Sequence, residues 1–267
     1  MLASALLSIA LLAITAFAAP PSRKARMESR LSRRREGAHF SRPSQRLEES
    51  NLIGGGNVTN VEYSSNWAGA VWDSAAGTYT SVTGTFVVPT PKAPSSGSGT
   101  YSAAAWVGID GDTCGTAILQ TGVDFTISGS KVSYDAWYEW YPDYSYDFSG
   151  IPISTGDTIK LTVTASSTKA GTAVIENVTT GKTVTKSLTS SAALCEKNAE
   201  WIVEDYDSGN SQVPFVNFGT VTFTGASATT GSGTVGPSGS TILDMKQSGT
   251  VLTSVSTGSS SVTISYV

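Results

Sequence analysis

Across residues 61–267, apolar and polar positions alternate one by one in short runs, as in 79–88, 159–165, 172–177, 183–188, 215–223 and 262–267. A period of two sends successive side chains to opposite faces of an extended chain. Each run therefore predicts a strand with one buried and one solvated face. Turn-forming clusters separate the runs at 95–99, Ser128-Gly129, Thr180-Gly181 and 231–239. Helical spacing is absent beyond a single turn expected near 192–198. Many evenly spaced strands without helices predict one all-β domain of about 200 residues, a sandwich or a barrel.

The stretch 101–142 departs from this simple alternation. It holds Trp106, Trp137 and Trp140, and its aromatics are interleaved with Asp135 and Glu139. On extended strands Gln120, Gly122 and Asp124 share a face, and so do Asp135, Trp137 and Glu139. Aromatics that share a surface with carboxylates fit the wall of a cleft as well as they fit a packed hairpin. Gly122 is expected to leave room beside Gln120 for a ligand backbone.

Charge divides the chain. Residues 1–18 form an apolar run ending Ala16-Phe17-Ala18, which reads as a secretory signal peptide. Residues 19–60 carry nine basic residues against four glutamates, a net +5. Residues 61–267 carry eight lysines against 17 acidic residues, a net −9. A basic arm on an acidic body is a nucleic-acid tail or a pro-segment, and the leader favours a pro-segment. The three domains expected are thus a signal peptide (1–18), a basic pro-segment (19–60) with a cleavable glycine stretch at its end, and a mature body (61–267). In this scheme Arg33, Arg34 and Arg35 lie against Asp124, Asp135 and Glu139, and acid releases them. The two cysteines of a secreted chain predict one disulfide, Cys114 to Cys195, worth roughly 4 kcal/mol in the chain-entropy model. Asn57 and Asn177 stand in glycosylation sequons.

Residue types narrow the chemistry. The single histidine, His39, falls in the pro-segment, so the body has no imidazole for Ser-His-Asp, Cys-His or most zinc chemistry. Asp207-Ser208-Gly209 occurs once, whereas an aspartic-protease dyad needs two such motifs, so it reads as a turn. Asp110-Gly111-Asp112 lacks the downstream ligands of a calcium loop and also reads as a turn. Carboxylates and amides remain, with no metal and no cofactor expected.

Several blocks of the chain resemble the fungal glutamic peptidases of the eqolisin family. They are Ser65-Asn66-Trp67-Ala68-Gly69, Ala105-Trp106-Val107-Gly108-Ile109-Asp110-Gly111-Asp112, Thr116-Ala117-Ile118-Leu119-Gln120-Thr121-Gly122, the block from Tyr134 to Pro142, and Asn198-Ala199-Glu200-Trp201-Ile202-Val203-Glu204-Asp205. The resemblance implies an antiparallel two-sheet β-sandwich of the concanavalin-like kind and peptide hydrolysis in acid. It assigns the catalytic pair to Gln120 and Glu204, not Glu200, and the substrate-binding cleft to Trp67, Trp106, Asp124, Asp135, Trp137 and Glu139. It implies protein or peptide substrates; some members carry further cysteines or are cut into two chains, and with only Cys114 and Cys195 this chain is expected to stay single, a secreted monomer with its own pro-segment as a partner and without nucleic-acid or membrane partners. A rival expectation is a sugar-binding module or glycosidase, with Trp137, Trp140 and Tyr141 as a stacking platform and Asp135 with Glu139 as the carboxylate pair.

Overall fold

The computed structural model describes residues 39–50, 61–94, 99–209 and 211–267. The leader, Arg33 to Arg35 and the Asn57 sequon lie outside them. The strands are β1 (His39–Phe40), β2 (Arg46–Ser50), β3 (Val61–Ser64), β4 (Trp67–Asp73), β5 (Tyr79–Val87), β6 (Thr100–Ile109) and β7 (Ile118–Ser128). There follow β8 (Lys131–Tyr141), β9 (Tyr146–Asp147), β10 (Thr158–Ser167), β11 (Ala170–Asn177), β12 (Lys182–Thr189), β13 (Asn198–Glu204), β14 (Asp207–Ser208) and β15 (Ser211–Gln212). The chain ends with β16 (Thr220–Thr230), β17 (Gly233–Val235), β18 (Thr241–Gln247), β19 (Thr250–Val251), β20 (Thr253–Thr257) and β21 (Ser261–Tyr266).

Two large sheets face each other as a sandwich. One runs β12-β11-β10-β5-β16-β21-β20, and the other runs β2-β3-β18-β4-β13-β6-β7-β8-β9. All ladders are antiparallel except β3 with β18. The strictly alternating strands β10 and β11 lay Leu161, Val163, Ala173 and Ile175 inward. Facing them, β13 contributes Ala199, Trp201 and Val203 to the same core. Burial of such side chains is the main term favouring the fold, at about 25 cal/mol per Å² of apolar area.

Two expected elements differ. The run 215–223 starts as irregular chain, and regular pairing begins only at Thr220. Phe215 and Phe218 both turn into the core against each other and Tyr266, and Gly219 at φ 69° breaks the extended backbone between them and β16. No helical turn forms at 192–198. Instead the amides of Cys195, Glu196, Lys197 and Asn198 all donate to the buried carboxylate of Asp110, at 2.7 to 3.2 Å. Asp110 itself takes φ 68° at the expected turn. The Cys114–Cys195 disulfide ties down the same corner. Asn198 completes it by accepting the amides of Thr113 and Cys114. This corner fixes where β7 and β13 begin.

Asn177 is no glycosylation site in this fold. Its side chain is fully buried and its Nδ2 donates to Pro152 O and Asp157 Oδ2, so the acceptor nitrogen is both hidden and engaged.

Candidate active site

The nine-membered ladder path of the second sheet has a face turned away from the core, and three rungs cross it. Glu204 pairs with Ala104, Ala104 with Asp124, and Asp124 with Asp135. Ile202 pairs with Trp106, Trp106 with Gly122, and Gly122 with Trp137. Glu200 pairs with Gly108, Gly108 with Gln120, and Gln120 with Glu139. The period of two thus brings every residue of the implied site onto one surface. Asp135 alone sits at the exposed rim.

Beneath the rim Trp67, Trp106 and Trp137 are fully buried with Ile118, Ile202, Tyr206 and Leu243 in a second apolar cluster. Trp67 meets Trp106 edge to face at 4.8 Å. The expected gap over Gly122 is filled. A Cβ there would lie 2.6 Å from Trp106 Cβ and 2.8 Å from Trp137 Cζ2, so the glycine admits these two indoles rather than a ligand backbone. Trp140 faces the opposite way, into the main core, with its Nε1 on Ala192 O. It cannot share a stacking platform with Trp137.

The surface is not empty. Residues 39–46, within the predicted pro-segment, run through it. β1 pairs with β14 and β2 pairs with β3. His39 stacks on Tyr206 at 4.1 Å and tilts against Trp137 at 4.4 Å. Phe40 lies between Tyr141 and Tyr144. A chain of short hydrogen bonds follows: Asp124 Oδ2 to His39 Nδ1 at 2.9 Å, His39 Nε2 to Ser41 Oγ at 2.9 Å, and Ser41 Oγ to Glu204 Oε2 at 2.8 Å. All three bonds are satisfied when the imidazole carries both protons and both carboxylates are ionised. His39 belongs to the expected pro-segment, and the fold lays its imidazole on the cleft surface.

Arg33 to Arg35, expected against the cleft carboxylates, lie outside the described residues. Among the described residues it is Arg42 that pairs with Asp207, and Arg46 that pairs with Asp112 and Glu62.

Glu204 receives three donors on two oxygens. Ser41 Oγ and Trp106 Nε1 (2.9 Å) reach Oε2, and the Arg42 amide (3.2 Å) reaches Oε1. Burial is the largest influence on its carboxyl and pushes it up to about 7, while the His39 charge and these hydrogen bonds pull it down. Gln120 is fully buried, and neither its Oε1 nor its Nε2 has a hydrogen-bond partner. Glu139 accepts the Ser41 amide on Oε2 at 3.3 Å. Glu200 is buried on the same surface, and burial first, then Asp110, Asp112 and Asp73, drives its carboxyl well up. Asp110, Cys114 and Cys195 cluster, but the sulfurs are bonded to each other and the carboxylate holds four amides, which leaves no donor set for a metal.

Comparison with known proteins adds four findings. A model described as the peptidase A4 family matches residues 65–266. Aspergillopepsin-2 of Aspergillus niger is 50% identical over 99% of this chain and 99% of its own length. Scytalidopepsin B of Scytalidium lignicola is 41% identical, covering 99% of this chain and 98% of its own. A crystal structure of scytalido-glutamic peptidase with a transition state analog inhibitor superposes with a TM-score of 0.69 at 44% identity, over 76% of this chain and 98% of that one.

Proposed function

This chain belongs to the peptidase A4 family, and from that premise we propose that it is a secreted, monomeric acid endopeptidase in which Gln120 and Glu204 activate a water against a peptide carbonyl. Departure of residues 39–46 relieves the burial that raises the Glu204 carboxyl, and the ionised form takes a proton from the water as it attacks the carbonyl carbon. The tetrahedral oxyanion receives N–H bonds from Gln120, whose amide keeps its donors at every pH. Glu204 then returns the proton to the leaving nitrogen, the C–N bond breaks, and the carboxylate is regenerated.

The observation that carries this reading is the way donors converge on Glu204, on the same sheet surface as a Gln120 amide that has none. A buried carboxylate that already gathers a hydroxyl, an indole N–H and a backbone N–H is built to hold a polar group at its oxygens. The Ser41 hydroxyl stands in for the attacking water. Gln120, buried with both polar atoms free, is placed to bind what the other residues do not.

Residues 39–46 then form the inhibitory part of the pro-segment. They close the cleft by occupying Glu204 and by pairing Arg42 and Arg46 with carboxylates of the body. Arginine stays charged in acid while carboxylates do not. Acid thus loosens the arm and exposes the site.

The test is to incubate the processed protein at pH 3 with casein and with β-glucan, alone and with pepstatin or a metal chelator. Casein should be cut, glucan left intact, and neither inhibitor should matter. Hydrolysis of glucan alone would replace the peptidase reading with the sugar one. Strong inhibition by pepstatin would point to an aspartic dyad.

A further inference from the structure

The rung that carries Gln120 ends in a second unexplained carboxyl. Glu139 is the direct cross-strand neighbour of Gln120 on the cleft surface. Side chains so opposed leave their strands only about 5 Å apart. Both are completely buried. Glu139 Oε2 holds the Ser41 amide, whereas Glu139 Oε1 and both polar atoms of Gln120 have no partner. Unpartnered polar atoms this close and this buried are unfavourable unless they meet.

We propose that Glu139 in its neutral form is the positioning residue that orients the Gln120 amide for catalysis. The proposal rests on the Gln120 and Glu204 reading. A neutral carboxyl has one O–H donor, which fits Gln120 Oε1 and leaves both N–H groups of Nε2 for the oxyanion. An ionised carboxylate only accepts. It would draw Nε2 to itself and turn the carbonyl oxygen of Gln120 toward the developing negative charge. Every group packed against Glu139 bears on that choice. Burial comes first, and the charges of Glu204 on β13, Asp143 in the turn after β8 and Asp124 on β7 add to it, all favouring the neutral form. Among these influences only the Ser41 amide opposes, and it belongs to the segment that must leave, together with His39 on Asp124 and Arg42 on Glu204. An enzyme arranged in this way loses turnover as Glu139 ionises, which gives a structural reason for working in acid.

The experiment uses processed enzyme and a soluble peptide substrate, and measures kcat and KM against pH for wild type, Glu139→Ala, Glu139→Gln and Gln120→Ala. Near-ultraviolet circular dichroism checks each fold. Glu139→Ala should lower kcat by about 10², the usual effect of losing one oxyanion donor, with KM changed by less than about threefold. Glu139→Gln keeps a donor that never ionises. It should recover at least about tenfold of that loss and move the alkaline limb of kcat upward by about one pH unit or more. A limb that stays in place in Glu139→Gln, or a loss carried by KM, would overturn the proposal. If Glu139→Ala does not fold, the pH profile of the Gln variant decides alone. Wild-type kcat in Gln120→Ala would instead remove the Gln and Glu pair itself.

Discussion

The outer face of the sheet that runs from β12 to β20 and the cleft face of the other are both polar, yet they are polar in opposite ways. On the outer face hydroxyls pair across strands: Ser81 with Thr164 at 2.9 Å, Thr83 with Thr162 at 2.8 Å, Thr222 with Thr263 at 3.2 Å and Thr220 with Ser265 at 3.0 Å. These groups are satisfied within their own sheet and none titrates in acid. On the cleft face the polar groups are carboxylates and an amide, most of them buried, and several of their atoms have no partner. The first surface keeps its hydrogen bonds whatever the pH. The second keeps unsatisfied groups even with residues 39–46 lying across it. Groups left unsatisfied at a cleft are therefore a better guide to chemistry here than polarity itself.

The contrast can be broken at Gly122. Gly122→Val should push Trp106 and Trp137 apart, destabilise the fold by about 3 kcal/mol or more and abolish activity. Urea denaturation and a peptide assay check it, and a change below about 1 kcal/mol would mean that the indoles repack freely.

A smaller effect lies in the pH dependence of stability, measured on the Gln120→Ala proenzyme to avoid self-digestion. Burial, in each case the largest cause, raises Glu204 and Asp205 to about 7 and Asp244 to about 6. A carboxyl raised in the folded state binds more protons there than in the unfolded chain. Its contribution is fully present below the unfolded value near 4 and is lost as pH rises through 6 to 7. Tm should be about 5 °C or more higher at pH 4 than at pH 8. A Tm that rises toward neutrality would show that the ion pairs of the arm outweigh the buried carboxyls.

The smallest effect belongs to the outer face. Thr83→Val with Thr162→Val removes a hydroxyl pair and both partners together, so stability should change by less than about 1 kcal/mol and kcat not at all. A large loss of activity would contradict the division between the two surfaces.

The alternating strands β10, β11 and β21 were legible because each has one wet and one dry face, whereas β12 forms at the sheet edge without burying any residue. β13 was not legible by pattern, since all seven of its residues are buried and no alternation survives. It was found only through its resemblance to the eqolisins. The shared face of Gln120, Gly122 and Asp124 followed from the period of two. What filled the space above Gly122 did not, because that depends on two indoles arriving from neighbouring strands. Which residues of the arm reach the site was invisible for a related reason. Charge marked a basic arm, but the contacts at the site are made by His39, Ser41 and a backbone amide, which net charge does not reveal. The sequon at Asn177 failed because a local motif carries no information on burial.

The most direct measurement of the central claim is the turnover of processed Glu204→Gln and Gln120→Ala on a peptide substrate at acidic pH, with each fold confirmed. Glu204→Gln keeps the shape and removes the base, and Gln120→Ala removes the oxyanion donors. The account predicts that kcat falls at least about 10²-fold in Gln120→Ala and further in Glu204→Gln. Turnover near that of the wild type in either folded variant would contradict it.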